Sequence, residues 1–197
     1  MSTPVILMPA AGGAQRFGGL KQLADLDGQP MCRHVARRLL ALGPPVIAVT
    51  GAHAEQVTQV LAGLGLETVH NPDWQAGLGS SIATGVRHIL ARHAGTSAVM
   101  ICLADQPLIA VSHYRRLLTR HAEAPDRLLA TRQADASGPP VLFPADCLAE
   151  LAAWQGERGA RLLLQREVER VERFSAECPL DVDTPEELAR ARARLRG

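Results

Sequence analysis

Aromatic side chains are scarce. Three Phe, two Trp and one Tyr make up 3% of 197 residues, too few for the stacking platforms that grip single-stranded nucleic acid. Net charge is nearly absent as well. Twenty-one Lys and Arg stand against 20 Asp and Glu, a formal +1 at pH 7. No general field therefore draws in a phosphate backbone, and any anionic ligand must be held by a local cluster. Both deficits speak against a nucleic-acid partner. Apolar runs are short, none approaching the length needed to cross a bilayer. Met1-Ser2-Thr3-Pro4 leads straight into a brief strand-like run, unlike a signal peptide. The expectation is a cytoplasmic chain with no membrane partner. Paired cysteines are also missing. Cys32, Cys102, Cys147 and Cys178 show neither C-x-x-C nor zinc spacing, and Cys102, inside an apolar run, reads as a small core residue of a reduced protein. The seven histidines form no H-E-x-x-H pair, so no transition-metal site is expected. His34, His88 and His93 fall among arginines in helical segments and read as surface residues.

What is present is ordinary in bulk: 47% apolar and 21% charged residues, the profile of a globular chain long enough for one domain and short for two. No repeat, linker or low-complexity segment divides it, so residues 1–197 are read as one unit. Strand-like runs at 5–8, 46–49, 67–70, 98–103, 128–130, 140–143 and 169–174 alternate with helical patterns at 31–42, 55–64, 80–93, 112–121, 147–154 and 160–165. Gly43-Pro44-Pro45 stops the first helix and Gly65 the second, while Ser80 or Ser81 is positioned to cap the third. Thr184-Pro185-Glu186-Glu187 is a capping box with proline at the first helical position. In the helix it opens, Leu188, Ala191 and Leu195 share one face. Arg190, Arg192, Arg194 and Arg196 form a solvated face that favours the helix's negative end. This alternation predicts an α/β protein of three layers around a mainly parallel sheet. Ligands of such sheets sit beyond the carboxyl ends of the strands, which places the loops after Met8, His70 and Leu103 along one rim.

Three rim segments carry chemistry. The strand at 5–8 empties into Ala10-Ala11-Gly12-Gly13-Ala14-Gln15-Arg16-Phe17-Gly18-Gly19-Leu20-Lys21. Glycines let backbone N–H groups turn toward a polyphosphate, and Arg16 and Lys21 add fixed positive charge. The loop is neither a Walker A loop, since Lys21 precedes Gln22, nor the Gly-x-Gly-x-x-Gly dinucleotide fingerprint; the plainer alternative is a glycine-rich turn with solvated charges. Asp105, in Leu103-Ala104-Asp105-Gln106-Pro107, follows the most apolar strand. Facing a triphosphate it would need an intervening cation, and Mg²⁺ suits that role; alternatively Asp105 caps the following turn. Asp181 and Asp183 share one face if Val182 turns inward, so either aspartate is able to complete a metal site or to serve the start of the last helix. The segment Asn71-Pro72 through Gly77-Leu78-Gly79-Ser80-Ser81 offers backbone groups and hydroxyls suited to the edge of a nucleobase, or is simply a helix start.

Together these segments resemble the MobA-like nucleotidyltransferase family, and within it the molybdenum cofactor cytidylyltransferase branch. Matching stretches also include Pro140-Val141-Leu142-Phe143, Gly159-Ala160-Arg161 and Asp181-Val182-Asp183-Thr184-Pro185-Glu186, in the family's order. The resemblance implies a Rossmann-like nucleotidyltransferase fold that passes CMP from CTP to the terminal phosphate of a molybdopterin-type acceptor, with a molybdenum hydroxylase as the partner receiving the product. It implies that Ala10, Ala11, Gly12, Gly13, Arg16 and Lys21 hold the triphosphate, and that Gly77, Leu78, Gly79, Ser80 and Ser81 hold the base. Asp105 becomes the principal Mg²⁺ ligand, Asp183 the second, and Lys21, Arg16 and Asp105 the catalytic set. Ala-Ala-Gly in the first loop and Gly-Leu-Gly-Ser-Ser in the third match family members that use CTP, with Ala11 at the discriminating position. Three positions depart from the pattern. Pro9 removes an N–H near the loop, Gly138-Pro139-Pro140 replaces Gly-His-Pro on the acceptor side, and Glu157 stands where aspartate is common. Other readings are a cytidylyltransferase for a sugar or polyol phosphate, a non-catalytic accessory protein for a molybdenum enzyme, and a nicotinamide-dependent oxidoreductase, against which the absent dinucleotide fingerprint counts.

Overall fold

Successive side chains of the first strand enter two different cores. In β1 (Thr3–Ala10) Val5 and Leu7 join one apolar cluster, whereas Ile6 and Met8 join another, because strand side chains alternate between faces. A strand buried on both faces must have helices on both sides. We describe the chain from a computed structural model covering residues 3–13, 17, 19–133, 136–154 and 159–196.

The elements after β1 are β2 (Asp25–Leu26), β3 (Gln29–Pro30), α1 (Met31–Leu40), β4 (Val46–Thr50), α2 (Ala54–Leu61), β5 (Glu67–His70), α3 (Leu78–Arg92), β6 (Thr96–Ile101) and α4 (Val111–Glu123). There follow β7 (Leu128–Gln133), β8 (Ala136–Pro144), α5 (Leu148–Ala152), α6 (Gly159–Arg166), β9 (Val171–Ser175) and α7 (Pro185–Arg196). Among the described residues the main sheet has seven strands in the order β5-β4-β1-β6-β8-β7-β9. β5, β4, β1 and β6 are parallel, β9 is parallel to β7, and β8 runs antiparallel to both its neighbours. One core lies under α3 and α5, with Leu163 and Leu164 of α6; the other lies under α1, α2 and α4. The three-layer, mainly parallel arrangement read from the sequence is therefore the one observed.

Helix α3 lies close on the sheet at Gly85. A Cβ there would fall 2.3 Å from Leu7 Cδ1 and 2.9 Å from Val49 Cγ2. A small third cluster stands apart, in which Val182, Leu188 and Ala191 cover Leu26 and Met31. It fastens α7 to the β2–β3 ribbon.

Several expectations need correction. The β2–β3 ribbon is absent from the sequence reading. Asp27 (φ +56°) and Gly28 (φ +83°) turn it, the pair of positive φ values that Asp-Gly supplies in tight hairpins. Helix α3 begins at Leu78 and not at the serines; its N-cap is Gly77, with no side-chain cap. His34, His88 and His93 are half-buried rather than surface residues. His88 and His93 reach back to the β5 edge, where their Nε2 atoms lie 2.8 and 2.9 Å from the two carboxylate oxygens of Glu67. His34 Nδ1 lies 3.3 Å from Gln29 Nε2. Nor is the arginine face of α7 wholly solvated: Arg192 donates to Asp25 O and Arg196 to Asp27 Oδ1. Cys32, Cys102 and Cys147 are buried free thiols. No helix among the described residues is long and apolar enough to cross a membrane.

Candidate active site

The chain leaves β1 in one direction, toward β4, and leaves β6 in the other. Between their carboxyl ends lies the crevice where open α/β sheets bind ligands. In this protein it is a cleft of about 470 Å³.

One wall is the glycine-rich loop. Ala11 O accepts the Ala52 N–H at 3.0 Å. The approach needs Gly51, where a Cβ would lie 2.6 Å from that same oxygen. From the other side Gln22, 4% exposed and in a short 3₁₀ turn over Lys21–Leu23, donates Nε2–H to Gly12 O at 2.7 Å; its Oε1 is buried without a partner among the described residues. The carbonyls of Ala11 and Gly12 are thus both taken up by neighbouring segments. Arg16, assigned to the same loop, lies outside the described residues. Pro9 turns out to be a strand residue rather than a loop residue. It stands past the last β1–β6 pair, Leu7 with Ile101, where a missing N–H is tolerated, and its carbonyl still meets the Ala104 N–H at 3.4 Å.

The floor is ionic. Lys21 Nζ lies 2.6 Å from Asp105 Oδ2 and 2.6 Å from Asp183 Oδ1, in a partly buried position. Burial works to lower the Lys21 pKa, but the charges of Asp105 and Asp183 and their hydrogen bonds outweigh it. The net shift is upward and the ammonium stays protonated. Asp105 comes from the loop after β6, and its carboxylate turns to Lys21 while its Oδ1 is buried without a partner among the described residues.

Asp183 is delivered by a strap. The Val182 N–H donates to Asp105 O at 2.9 Å, and Val182 is fully buried. With Val182 inward, its two neighbours turn toward Lys21 and Gln106, as the alternation in the sequence requires. Gln106, 1% exposed, donates Nε2–H to Asp181 Oδ1 at 2.7 Å and to Pro139 O at 3.2 Å. Burial pushes the Asp181 carboxyl upward, the Gln106 hydrogen bond offsets part of this, and the charges of Asp105 and Asp183 add to the rise. The capping box forms as written in the sequence. Glu187 Oε2 accepts the N–H groups of Asp183 and Thr184 at 2.8 and 2.9 Å, and the Glu187 N–H reaches Thr184 Oγ1 at 3.2 Å. The backbone carrying Asp183 is thereby fixed at the start of α7.

The remaining wall is the segment before α3. Gly77 has φ +99°, a conformation open essentially to glycine alone. Gly77, Leu78 and Ser81 line the cleft, and Asn71 Nδ2–H binds both Ser80 Oγ (2.9 Å) and Ser81 Oγ (3.0 Å).

Of the residues read from the sequence, Ala10, Ala11, Gly12, Gly13, Lys21, Gly77, Leu78, Ser81, Asp105 and Asp183 therefore line one cleft. Gly79 and Ser80 do not. Gly79 is buried in α3, and the Ser80 hydroxyl sits 2.8 Å from Gly77 O and 2.9 Å from Asp73 O. Sequence reasoning missed Gln22, Gln106 and Trp74. The Trp74 ring would be 3.1 Å from a Cβ on Gly13, so it backs the glycine loop. Among the described residues no group of three or more His, Cys, Asp and Glu forms a metal cage. Two carboxylates, one with an oxygen that has no partner among the described residues, nonetheless suit a hard dication that completes its shell with water and phosphate oxygens.

Residues 5–171 match the MobA-like NTP transferase domain. The chain belongs to that family. Within it, the chain is 29% identical over 194 residues, 92% of each protein, to nicotine blue oxidoreductase of Paenarthrobacter nicotinovorans. It is 24% identical over 196 residues, 98% of each, to the molybdenum cofactor cytidylyltransferase of Escherichia coli K12. Rv0371c of Mycobacterium tuberculosis H37Rv superposes with a TM-score of 0.82 at 26% identity, over 98% of both chains. The manganese complex of that protein does so with 0.77 at 25% identity, also over 98% of both. The fold is thus the Rossmann-like one of nucleotidyltransferases. The match ends before the strap that carries Asp183.

Proposed function

We propose that this protein transfers CMP from CTP to the terminal phosphate of a molybdopterin-type cofactor, releasing pyrophosphate. The observation that carries the proposal is the meeting of Lys21, Asp105 and Asp183 beneath the Ala10–Gly13 backbone at the crevice between β1 and β6. The full-length likeness to a molybdenum cofactor cytidylyltransferase and the Ala-Ala-Gly start of the loop favour CTP and this acceptor.

An oxygen of the acceptor phosphate attacks the α-phosphorus of CTP, and the bond from that phosphorus to the pyrophosphate oxygen breaks. Such a reaction needs positioning and charge neutralisation rather than a nucleophilic side chain. Backbone N–H groups of residues 10–13 cradle the triphosphate. Lys21 and Arg16 offset the charge that builds on the departing pyrophosphate. Asp105 and Asp183 would hold a divalent ion, Mg²⁺ in our reading, which would neutralise charge on the phosphate oxygens. The Ser81 hydroxyl and the Gly77 backbone face the base, with Ala11 leaving room for it.

Pyrophosphate release measured with CTP, GTP and ATP, each with and without molybdenum cofactor, tests this. Release that requires both CTP and the cofactor is expected; release with GTP or ATP alone, or none with any nucleotide, overturns it. A second reading, cytidyl transfer to a sugar or polyol phosphate, is favoured by Pro139, which stands where the family pattern noted in the sequence has histidine and whose carbonyl accepts from Gln106. Sugar and polyol phosphates in the same assay separate the two.

A further inference from the structure

Lys21 occupies the gap between the two carboxylates assigned to the divalent ion, with Nζ at 2.6 Å from each. An ammonium hydrogen-bonded to both aspartates and a dication coordinated by both would set two positive centres a few Å apart in a partly buried site, where repulsion is poorly screened. We propose that Lys21 is an exchangeable counter-cation: it neutralises Asp105 and Asp183 until the divalent ion takes its place, and the displaced ammonium then moves onto the triphosphate. The inference rests on the metal and nucleotide assignments under Proposed function and adds a coupling that those assignments do not contain.

Charge and connectivity both support the exchange. Counted over these three side chains alone, two carboxylates with one ammonium carry a net −1; the carboxylates with a dication are neutral, and the ammonium's charge is released. That charge sits on a flexible four-carbon stem rooted in the 3₁₀ turn at the end of the glycine loop. The neighbouring Gln22 already bonds to Gly12 O in that loop, so the stem's base adjoins the proposed triphosphate cradle. Asp105 Oδ1, buried and without a partner among the described residues, gives an arriving ion a foothold while Oδ2 still holds Lys21. Each ligand then favours the other: the metal frees the lysine for phosphate, and the phosphate draws the lysine from the metal's ligands. By linkage, the factor by which CTP tightens metal binding equals the factor by which metal tightens CTP binding. A lysine that stayed clear of the two aspartates would have little influence on metal binding when nucleotide is absent.

The experiment is Mn²⁺ titration of the full chain, followed by loss of the free-ion electron paramagnetic resonance signal, for wild type and Lys21→Met, each with and without CTP. Without CTP, Lys21→Met binds Mn²⁺ about tenfold tighter or more than wild type, and CTP tightens the wild type by a similar factor, within the usual range of site-site coupling. CTP tightens the variant too, because its phosphate oxygens complete the metal's shell, but by a smaller factor than it tightens wild type. Equal or weaker Mn²⁺ binding by Lys21→Met without CTP overturns the exchange while leaving the metal site standing, provided wild type binds Mn²⁺ with CTP. No Mn²⁺ binding by either protein, even with CTP, overturns the metal assignment and the exchange with it. Acetylation of Lys21 in the wild-type protein, read by mass spectrometry, is independent of any variant. Saturating Mn²⁺ alone should raise it and Mn²⁺ with CTP lower it; unchanged labelling on adding Mn²⁺ overturns the proposal.

Discussion

Val182 donates its backbone N–H to the carbonyl oxygen of Asp105 at 2.9 Å. This bond joins two stretches of chain that are far apart in sequence, and each presents an aspartate to Lys21. The separation of the two carboxylates is therefore set by main-chain geometry and by a buried valine, and is not left to surface loops.

Replacing Lys21 by Ala is expected to lower turnover with CTP by roughly a hundredfold or more, the scale of losing one preorganised electrostatic group. Steady-state pyrophosphate release at saturating CTP measures it. Undiminished turnover would remove Lys21 from the chemistry.

Asp105→Ala should abolish metal-dependent pyrophosphate release while the melting temperature stays near that of wild type, because the side chain bonds to Lys21 and not to the turn that follows it. A collapse in melting temperature would mark Asp105 as structural instead.

Gln106 makes two buried hydrogen bonds, to Asp181 and to Pro139 O. Gln106→Ala removes both bonds and should cost about 1–3 kcal/mol in urea unfolding. Because the strap to Asp183 loosens at the same time, kcat should fall as well. A variant with wild-type stability would show that the strap holds without this residue.

At φ +99° and ψ −179°, position 77 accepts a side chain only with strain of about 1–3 kcal/mol. Gly77→Ala should shift the first turn of α3 and raise KM for CTP more than it lowers kcat. An unchanged KM would place the base elsewhere in the cleft.

The hydrogen bonds from Arg120 hold the Glu172 carboxyl below its ordinary 4.5; burial opposes them, and the charges of Arg120 and Arg127 reinforce them. A carboxyl whose folded value is depressed contributes stability that is complete above its unfolded value and lost as pH falls through the folded one. The gap in melting temperature between wild type and Glu172→Gln should thus be constant well above pH 4.5 and close as acid is added below it. A gap independent of pH would mean the ion pair does not stabilise the β9 edge.

Much of this architecture is legible in the chain. Buried parallel strands announce themselves as unbroken apolar runs such as Val99-Met100-Ile101, and the capping box places the start of α7 at Pro185, as observed. The Asp181-Val182-Asp183 alternation foretells which residue is buried. What escapes depends on tertiary partners or on pieces too short to have a period. The two-residue strands β2 and β3 show no alternation, although Asp27-Gly28 was an available hairpin signal. Ser80 and Ser81 look like caps, yet both lie inside α3, where Asn71 engages their hydroxyls, and glycine takes the cap position. Gln22 and Gln106 are buried polar residues whose roles exist only once distant carbonyls arrive beside them.

The α7 cluster of Leu26, Met31, Val182, Leu188 and Ala191 is separate from the two large cores, yet it secures one of the two acidic groups at the floor of the cleft. Cooperative units of a protein open with different free energies, and small peripheral ones open first. Peeling of this C-terminal flap would disarm catalysis while the seven-stranded platform stayed intact, so the temperature at which activity is lost should lie below that at which the sheet melts.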